Sequence, residues 1–240
     1  MDHGYIASLT QEIDTAHPSI RELLEREGSD KGKYGGLFDV LLQPHRQTIR
    51  CVIEIGIGTL LADADWSMVG FAAEHYRPGG SLRAWRNFLP RSEIFGLDIA
   101  SDTQFSDEPR IHTYLCDSTD ADQTAGFLCQ ITHQPDLIVD DGSHDVNAQI
   151  KTLKNFLPAL RDGGLYVVED AWWPDNVLKL IDALNVVHPG CHLFVARSLV
   201  TDEVAIVIRK PIRRRHRARW ARNWLRLLAS SRYGSRIIKA

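Results

Sequence analysis

Three acidic clusters, each at the end of a short apolar run typical of a β-strand, are the residues best suited to chemistry. One run ends in Glu54-Ile-Gly-Ile-Gly58, a second in Asp140-Asp-Gly-Ser-His144 and a third in Glu169-Asp170. In an open α/β sheet, ligands bind outside the carboxyl ends of the strands. We therefore expect the three clusters to converge on one crevice, which predicts an enzyme.

The carboxylates of the second and third clusters predict a metal site. Asp141, Glu169 and Asp170 offer only oxygen ligands, which suit Mg²⁺, with Mn²⁺ as a substitute, better than zinc. Without a cation these carboxylates would repel one another, so one of them would have to bind a proton or a basic side chain. A structural interpretation stays open, in which Glu169 and Asp170 cap the next helix or pair with arginines.

His144 is the candidate general base. It follows Asp141 by three residues, in the loop after the fourth predicted strand. An ordinary histidine titrates at about pH 6.5, so it can accept a proton from a hydroxyl group under neutral conditions. Isolated histidines are more often structural, but the neighbouring carboxylates favour the catalytic role.

Glycines and acidic strand ends predict a nucleotide-like cofactor. Glu54-Ile-Gly-Ile-Gly58 closes the first strand, Asp98 ends the second, where it could bond ribose hydroxyls, and Asp117 and Ser118 end the third. A dinucleotide site would have Gly or Ala where this chain has Leu61, so the pattern favours S-adenosylmethionine. The same residues would also fit a ligand-free turn with structural caps.

Helices and strands alternate around these clusters. The predicted helices cover 10–27, 37–47, 82–89 (capped by Ser81), 120–131, 145–160 and 174–186, and a glycine-rich polar loop covers 29–36. The predicted strands cover 50–55, 93–98, 111–116, 136–140, 164–169, 192–197 and 203–208. The link between the last two strands is too short for a parallel crossover. The order predicts an α/β fold with a doubly wound, mostly parallel seven-stranded sheet and a terminal antiparallel hairpin.

Charge is distributed unevenly, which favours a helical region at 1–48, a catalytic core at 49–210 and a basic tail at 211–240. The formal charge is −3, yet the last 32 residues hold 12 of the 28 basic residues and none of the 31 acidic ones. At helical spacing, Trp220 and Trp224 share one face of the tail. It could dock on the acidic body, stay disordered or lie on an anionic membrane surface. No nucleic-acid motif accompanies it, so no nucleic acid is expected as a partner.

Composition predicts a globular protein of the cytoplasm, peripheral to the membrane if the tail binds lipid. Hydrophobic residues make up 44% of the chain and charged residues 25%, which is ordinary. The sequence has no apolar run of about 18 residues and no secretory signal at its N-terminus. The four cysteines lack metal-like spacing and fit reduced thiols.

At these residues the chain resembles the class I S-adenosylmethionine-dependent methyltransferases, and more narrowly the metal-dependent sugar O-methyltransferases of the mycinamicin and tylosin type. The matching stretches are Ser29-Asp-Lys-Gly32, Val52-Ile-Glu-Ile-Gly56, Gly79-Gly-Ser-Leu-Arg-Ala-Trp85, Ile94-Phe-Gly-Leu-Asp-Ile99, Leu137-Ile-Val-Asp-Asp-Gly-Ser-His144 and Gly163-Gly-Leu-Tyr-Val-Val-Glu-Asp170. The resemblance implies a Rossmann-like fold, Mg²⁺ on Asp141, Glu169 and Asp170, and His144 as general base. It also implies S-adenosylmethionine near Glu54, Gly56, Ser81, Asp98, Asp117 and Asp140.

The predicted function is transfer of a methyl group to the hydroxyl of a sugar in a glycan, an oligosaccharide or a glycosylated natural product. Trp172 and Trp173 follow the predicted metal ligands and could stack on such a sugar or pack in the core. The macrolide enzymes carry a larger N-terminal region, so acceptor recognition is expected to differ here. The resemblance also favours a homo-oligomer. A hydroxylase or oxidoreductase on the same scaffold, and a non-catalytic module recruited by the tail, are the alternatives.

Overall fold

One seven-stranded sheet forms the centre of the computed structural model, which describes residues 17–64, 67–70, 76–172, 174–197 and 204–212. The strands are β1 (Cys51–Ile55), β2 (Glu93–Asp98), β3 (Ile111–Leu115), β4 (Leu137–Asp140), β5 (Leu165–Ala171), β6 (His192–Arg197) and β7 (Val204–Arg209). Their order across the sheet is β3-β2-β1-β4-β5-β7-β6. The strand order therefore reverses between β1 and β4.

The first five strands run parallel and the last two complete the sheet as a hairpin. β1 pairs in parallel with β2 and β4, and the parallel pairing continues to β3 on one side and β5 on the other. β7 is antiparallel to both β5 and β6. The predicted doubly wound sheet with a terminal antiparallel hairpin is confirmed. A reversal of strand order opens a crevice at the carboxyl ends of the strands, here between β1 and β4.

Helices lie between most of the strands. The α-helices among the described residues are α1 (Ile20–Arg26), α2 (Gly35–Leu42), α3 (Gly80–Phe88), α4 (Ala121–Leu128), α5 (Val146–Phe156) and α6 (Asp175–Val187). Short 3₁₀ helices cover Asp30–Tyr34, Gln43–His45 and Ser101–Thr103. All six predicted helices have a counterpart, but several are shorter than predicted.

The prediction of a continuous helix at 10–27 is wrong at residues 17–19, which are not helical. Residues 10–16 lie outside the described part of the chain, and α1 begins only after Ser19. The Ser19 side chain accepts a hydrogen bond from the amide of Glu22, and the Glu22 side chain accepts one from the amide of Ser19 at 2.8 Å. This capping box satisfies two amides that have no partner inside the helix and so sets the first residue of α1.

Three other helices end earlier than predicted, and two of them end near a proline. The helix predicted at 37–47 gives way to a 3₁₀ turn that contains Pro44, and the one predicted at 145–160 ends two residues before Pro158. Proline has no N–H to continue the helical hydrogen bonds, although the residues before the two prolines, Gln43 and Leu157, still have helical backbone angles. The helix predicted at 120–131 ends at Leu128, where a tighter 3₁₀-type bond from Gln130 closes the last turn.

Apolar side chains cover both faces of the sheet. Within β1, Val52 packs with residues of α1, α2 and α3, whereas the next residue, Ile53, packs with residues of α5 and α6, and both are fully buried. Burial of one such side chain contributes about 1.5–3 kcal/mol to stability. Both faces are therefore occupied by packing, which leaves the edge at the strand ends for ligands.

No helix in the described part of the chain is both long enough and apolar enough to cross a bilayer. The predictions for the basic tail fall almost entirely on residues 213–240, which lie outside that part, and so does Trp173. These predictions stay predictions.

Candidate active site

The carboxyl ends of β1, β4 and β5 lie side by side. In the parallel register Ile55 of β1 is opposite Asp140 of β4, and Asp140 is opposite Val168 of β5. The three acidic clusters lie at or directly after these positions, at one edge of the sheet. The convergence predicted from the strand ends is confirmed.

Gly56 brings the loop after β1 against the loop after β4. Its φ of +77° lies in the left-handed region that favours glycine, and a Cβ atom there would overlap the carbonyl oxygen of Asp141. The amide of Asp141 donates to the carbonyl of Ile55 at 2.9 Å. The glycine turn predicted to lie at the methyl donor is thus in backbone contact with the loop that carries a predicted metal ligand.

Asp141, His144 and Asp170 form a compact group of potential metal ligands. One ligand atom of each residue lies within 4.8 Å of those of the other two. The Nε2 atom of His144 is 3.5 Å from Oδ1 of Asp141 and 3.8 Å from Oδ2 of Asp170. The His144 side chain is 43% exposed, so a substrate can reach it.

A β-bulge places Glu169 and Asp170. The strand predicted at 164–169 continues to Ala171, and its register with β7 shifts between Val168 and Ala171. Asp170 has a φ of +50°, which is uncommon for a residue other than glycine. Successive residues of a regular strand point to opposite faces, whereas a bulge changes their direction. The distortion lets both carboxylates contact the same short segment near the N-terminus.

A buried lysine in that segment, which the sequence did not identify as functional, binds three of the acidic residues. The Lys31 side chain is 2% exposed. Its ammonium group donates hydrogen bonds to Asp141 and, at 3.1 Å, to Glu169, and lies 3.5 Å from Glu54. The basic side chain that the repulsion between carboxylates requires is therefore Lys31.

Two further residues of the segment bind Asp170. Lys33 donates to Oδ2 of Asp170 at 2.9 Å, and the hydroxyl of Tyr34 donates to Oδ1 at 2.6 Å. The segment was predicted only as a glycine-rich polar loop. The match of Ser29-Asp-Lys-Gly32 to the methyltransferase pattern was the signal that could have identified it.

The charges at this edge shift the pKa values of the groups that share them. Burial lowers the pKa of Lys31, but the surrounding carboxylates outweigh burial and hold that pKa well above its ordinary value. Burial raises the pKa of Glu169. The pKa of Asp141 is lowered despite its burial, because Lys31 and His144 both interact with it. The hydrogen bond to Asp141 raises the pKa of His144, which makes this imidazole a stronger base.

Glu54 and Ser81, both predicted to lie at the cofactor, contact each other. Glu54 is fully buried and accepts hydrogen bonds from the Ser81 hydroxyl and the Trp85 indole N–H, both on α3. The prediction that Ser81 caps the helix is wrong, because α3 begins at Gly80 and its N-cap is Gly79, with a φ of +76°. The three side chains join β1 to α3 and support the edge from behind.

Asp98 ends β2 as predicted and binds the backbone of two loops. Its Oδ2 accepts from the amide of Ile57 at 2.9 Å and its Oδ1 from the amide of Ala100 at 2.9 Å. An ionised carboxylate has about four acceptor sites, so these bonds leave capacity for hydroxyl donors. Asp98 therefore acts as a cap that holds the glycine turn, and a second role at the ribose is compatible with its geometry.

The other predicted cofactor residues have local partners. Asp117 accepts two hydrogen bonds within its own turn, at 2.8 and 2.9 Å, and the Ser118 hydroxyl lies 2.9 Å from that of Thr152. Asp140 accepts from the Tyr166 hydroxyl at 2.9 Å, and burial raises the pKa of Asp140 to about 7. Asp117 and Ser118 are half-buried and open to a ligand, whereas Asp140 is almost fully buried.

Exposed apolar side chains surround the same edge. They follow or end four of the parallel strands, are 38–70% exposed, and are Leu60, Leu61, Ile99, Leu115 and Trp172. At 70% exposure Trp172 is not packed in the core, which removes one of its two interpretations. Apolar surface around a few convergent polar groups is typical of small-molecule sites.

No protein-family model matches the chain. Over 170 residues it is 41% identical to the mycinamicin VI 2''-O-methyltransferase of Micromonospora griseorubida, an alignment that covers 65% of this chain and 38% of that protein. Over 173 residues it is 35% identical to the demethylmacrocin O-methyltransferase of Streptomyces fradiae, with 67% and 39% covered. The chain thus spans about two-fifths of the length of these curated relatives.

A solved structure shares the fold. The MycE methyltransferase from the mycinamycin biosynthetic pathway, in complex with Mg, SAH and mycinamycin VI, superimposes with a TM-score of 0.61 and 25% identity. The superposition covers 92% of this chain and 66% of that one. The resemblance to macrolide and sugar O-methyltransferases is confirmed, and the fold is the Rossmann-like fold of class I methyltransferases.

Proposed function

We propose that the protein transfers a methyl group from S-adenosylmethionine to a sugar hydroxyl, with a divalent cation at the acceptor site. The observation that carries the proposal is the compact group of Asp141, His144 and Asp170 beside the Gly56 turn. The group lies where the strand order of the sheet reverses, the usual ligand position in such folds. The curated relatives are macrolide and sugar O-methyltransferases, which supports the same reaction class.

The predicted ligands Asp141, Glu169 and Asp170 have the donor atoms that suit Mg²⁺, with Mn²⁺ as a substitute. Asp141 and Asp170 belong to the compact group, whereas Glu169 is linked to Asp141 through Lys31. All their donor atoms are oxygens, and the Oε1 atom of Glu169 is buried with no hydrogen-bond partner among the described residues. Together with Glu54 they carry four formal negative charges against the two ammonium groups bonded to them, and a divalent cation would supply the missing two charges. Bound there, the cation would lower the pKa of a coordinated hydroxyl group.

His144 is the proposed general base. The acceptor hydroxyl gives its proton to the imidazole while its oxygen forms a bond to the donor methyl carbon. The carbon–sulfur bond breaks with its electron pair staying on sulfur, so the products are the methyl ether, S-adenosylhomocysteine and protonated His144. Asp141 lies 3.5 Å from Nε2 and stabilises the charged imidazolium. Alignment of the two reactants supplies most of the acceleration.

The methyl donor is proposed to bind along the Gly56 turn. Asp98 holds that turn and has acceptor capacity left for the ribose hydroxyls. Asp117 and Ser118 are open at the end of β3, and the exposed side chain of Ile99 offers apolar surface to the adenine ring. The roles of Glu54, Ser81 and Asp140 are indirect: these buried residues stabilise the strands and the helix that form the site.

The sugar acceptor is proposed to lie over the group formed by Asp141, His144 and Asp170. The side chain of Trp172 is 70% exposed, two residues from Asp170, and its ring can stack on the apolar face of a sugar. This arrangement favours a sugar attached to a larger, partly apolar molecule, because exposed leucines continue the apolar surface beyond one ring.

Calorimetric titration with S-adenosylmethionine in the presence of Mg²⁺ tests the donor site. We expect saturable binding to the wild type and weaker binding to Asp98→Ala. Asp107→Ala removes an exposed carboxylate away from the turn and serves as the matched control, with wild-type affinity expected. Failure of the wild type to bind the donor would reject the methyltransferase proposal. Saturable binding leads to a screen of glycosylated acceptors with and without a chelator.

The basic tail and the oligomeric state are separate parts of the proposal. Twelve basic residues after Val207 and no acidic ones would suit docking on the acidic body or a disordered tail, and the alternative is attachment to an anionic membrane surface. Sedimentation with vesicles that contain anionic lipid, at low salt, tests this, and a protein left in the supernatant would reject it. Light scattering tests the predicted homo-oligomer.

A further inference from the structure

The segment from Lys31 to Tyr34 binds one oxygen each of Asp141 and Glu169, and both oxygens of Asp170. Lys31 binds Asp141 through Oδ2 and Glu169 through Oε2, and Asp170 binds Lys33 and Tyr34. The opposite oxygens differ. Oδ1 of Asp141 faces His144 at 3.5 Å, and Oε1 of Glu169 is buried without a hydrogen-bond partner among the described residues.

We propose that Lys31 is a positioning residue of the metal site, which holds the Asp141 and Glu169 carboxylates from behind so that their other oxygens can bind a divalent cation. The proposal rests on the proposed function, because the cation is part of it. Lys31 itself contacts neither the cation nor the substrates. Its role is to fix two ligands that lie 28 positions apart in the sequence, one directly after β4 and the other on β5.

The alternative is that Lys31 competes with the cation and leaves when it binds. The position of the side chain argues against displacement, because it is 2% exposed and enclosed by Asp141, Glu169 and Glu54. A displaced ammonium group would have to leave all three partners, at the high cost of a buried unpaired charge.

Lys31 also links the two carboxylates, because its ammonium group donates a hydrogen bond to each of them. A side chain at position 31 that cannot donate would leave Oδ2 of Asp141 and Oε2 of Glu169 without this shared partner. Loss of an outer partner of this kind typically lowers metal affinity about 10- to 100-fold.

Metal binding in the absence of donor and acceptor tests the proposal without a measurement of turnover. Mn²⁺ is titrated into the wild type, Lys31→Met and Lys31→Arg, with the free ion followed by electron paramagnetic resonance. We expect Lys31→Met to bind Mn²⁺ at least 10-fold more weakly than the wild type. Lys31→Arg keeps the charge and is expected to bind more tightly than Lys31→Met. Lys179→Met, an exposed site on α6, is the control and should match the wild type.

Equal or tighter Mn²⁺ binding by Lys31→Met would overturn the proposal, and tighter binding would identify Lys31 as a competitor. Either result leaves the proposed methyl transfer intact. A wild type that binds no Mn²⁺ would instead reject the metal part of the proposed function, and the role of Lys31 with it. If Lys31→Met does not fold, the double variant Lys31→Met/Glu54→Gln replaces it, because it removes one positive and one negative charge together. The same loss of affinity is expected, and an unchanged affinity would again overturn the proposal.

Discussion

The two edges of the sheet hold buried charges that are satisfied in different ways. At the amino ends of the strands, Asp136 accepts hydrogen bonds from the amides of Arg50 at 2.7 Å and Cys51 at 3.0 Å and pairs with Arg161. Directly after β7, the ammonium group of Lys210 donates to the carbonyl oxygens of Leu157, Pro158 and Leu160, which follow α5. Apart from the ion pair with Arg161, the partners of these charges are backbone amides and carbonyls.

At the carboxyl ends the partners are other charged side chains, and acids outnumber bases. Lys31 serves Asp141, Glu169 and Glu54 at once, and one buried oxygen of Glu169 has no hydrogen-bond partner among the described residues. A charge bound by backbone stabilises one conformation, whereas an excess of like charge is unfavourable for the protein alone. The difference separates a structural cluster from a functional one, because only the second gains by binding a ligand.

The largest expected effect comes from His144, the proposed general base at the carboxyl edge. His144→Ala removes the proton acceptor and should lower turnover at least about 100-fold while leaving binding of S-adenosylmethionine unchanged. Steady-state methyl transfer and calorimetry measure the two quantities. His192→Ala, an exposed histidine on β6, is the control. Near-normal turnover in His144→Ala would reject His144 as the general base, and with it the catalytic role proposed for the carboxyl edge.

Asp170 tests the claim that acids at this edge are in excess. Asp170→Asn keeps the left-handed backbone that asparagine tolerates, but it removes one negative charge. We expect Mn²⁺ affinity to fall about 10- to 100-fold, as for the loss of one site partner. The melting temperature without metal should hold or rise, because repulsion is relieved. A variant that melts earlier and still binds metal normally would show that Asp170 is structural.

Lys210 gives the opposite result at the amino edge. Lys210→Met leaves the carbonyl groups of Leu157, Pro158 and Leu160, which follow α5, without this donor, so the free energy of unfolding should fall by about 1–3 kcal/mol. Turnover per folded molecule should stay at the wild-type level. Urea denaturation and an activity assay at low temperature measure the two. A loss of turnover larger than the loss of folded protein would contradict a purely structural role for the charges at the amino edge.

The smallest effect is a pH dependence at the amino edge. Burial lowers the pKa of His45 to about 4, with Arg209 and Arg161 acting in the same direction. Below the ordinary histidine pKa of about 6.5 the unfolded chain therefore binds a proton that the folded chain does not. The free energy of unfolding should fall as the pH drops from about 6.5 to about 4, with a slope no steeper than that for the uptake of one proton on unfolding. His45→Gln should flatten this slope in denaturation curves, and an unchanged slope would reject the assignment.

The strands and their order were predictable because each strand is a continuous apolar run, as expected when both faces are covered. The convergence of the acidic residues at their ends was also predictable, because parallel strands bring their carboxyl ends to one edge. The ends of the helices were less predictable. The starts and stops at Ser19, Pro44 and Pro158 depend on single hydrogen bonds or their absence, and an apolar pattern extends past them without any change.

The sequence could not predict which side chains bind the predicted site residues. Repulsion between Asp141 and Glu169 requires a cation, but any of 28 basic residues could have provided it. Only the fold brings Lys31 across from the N-terminal segment. Asp98 likewise has the residue type and position of a ribose ligand, yet its first partners are the amides of its own and the neighbouring loop.

The bonds of Lys31 span 110 residues to Asp141 and 138 residues to Glu169. Contacts between such distant positions require long stretches of chain to be in place first, and they slow folding. On the ribosome, the proposed metal site cannot form until the strand that carries Glu169 has been synthesised. A metal-sensitive probe would therefore report a step of assembly that joins the N-terminal segment to β5.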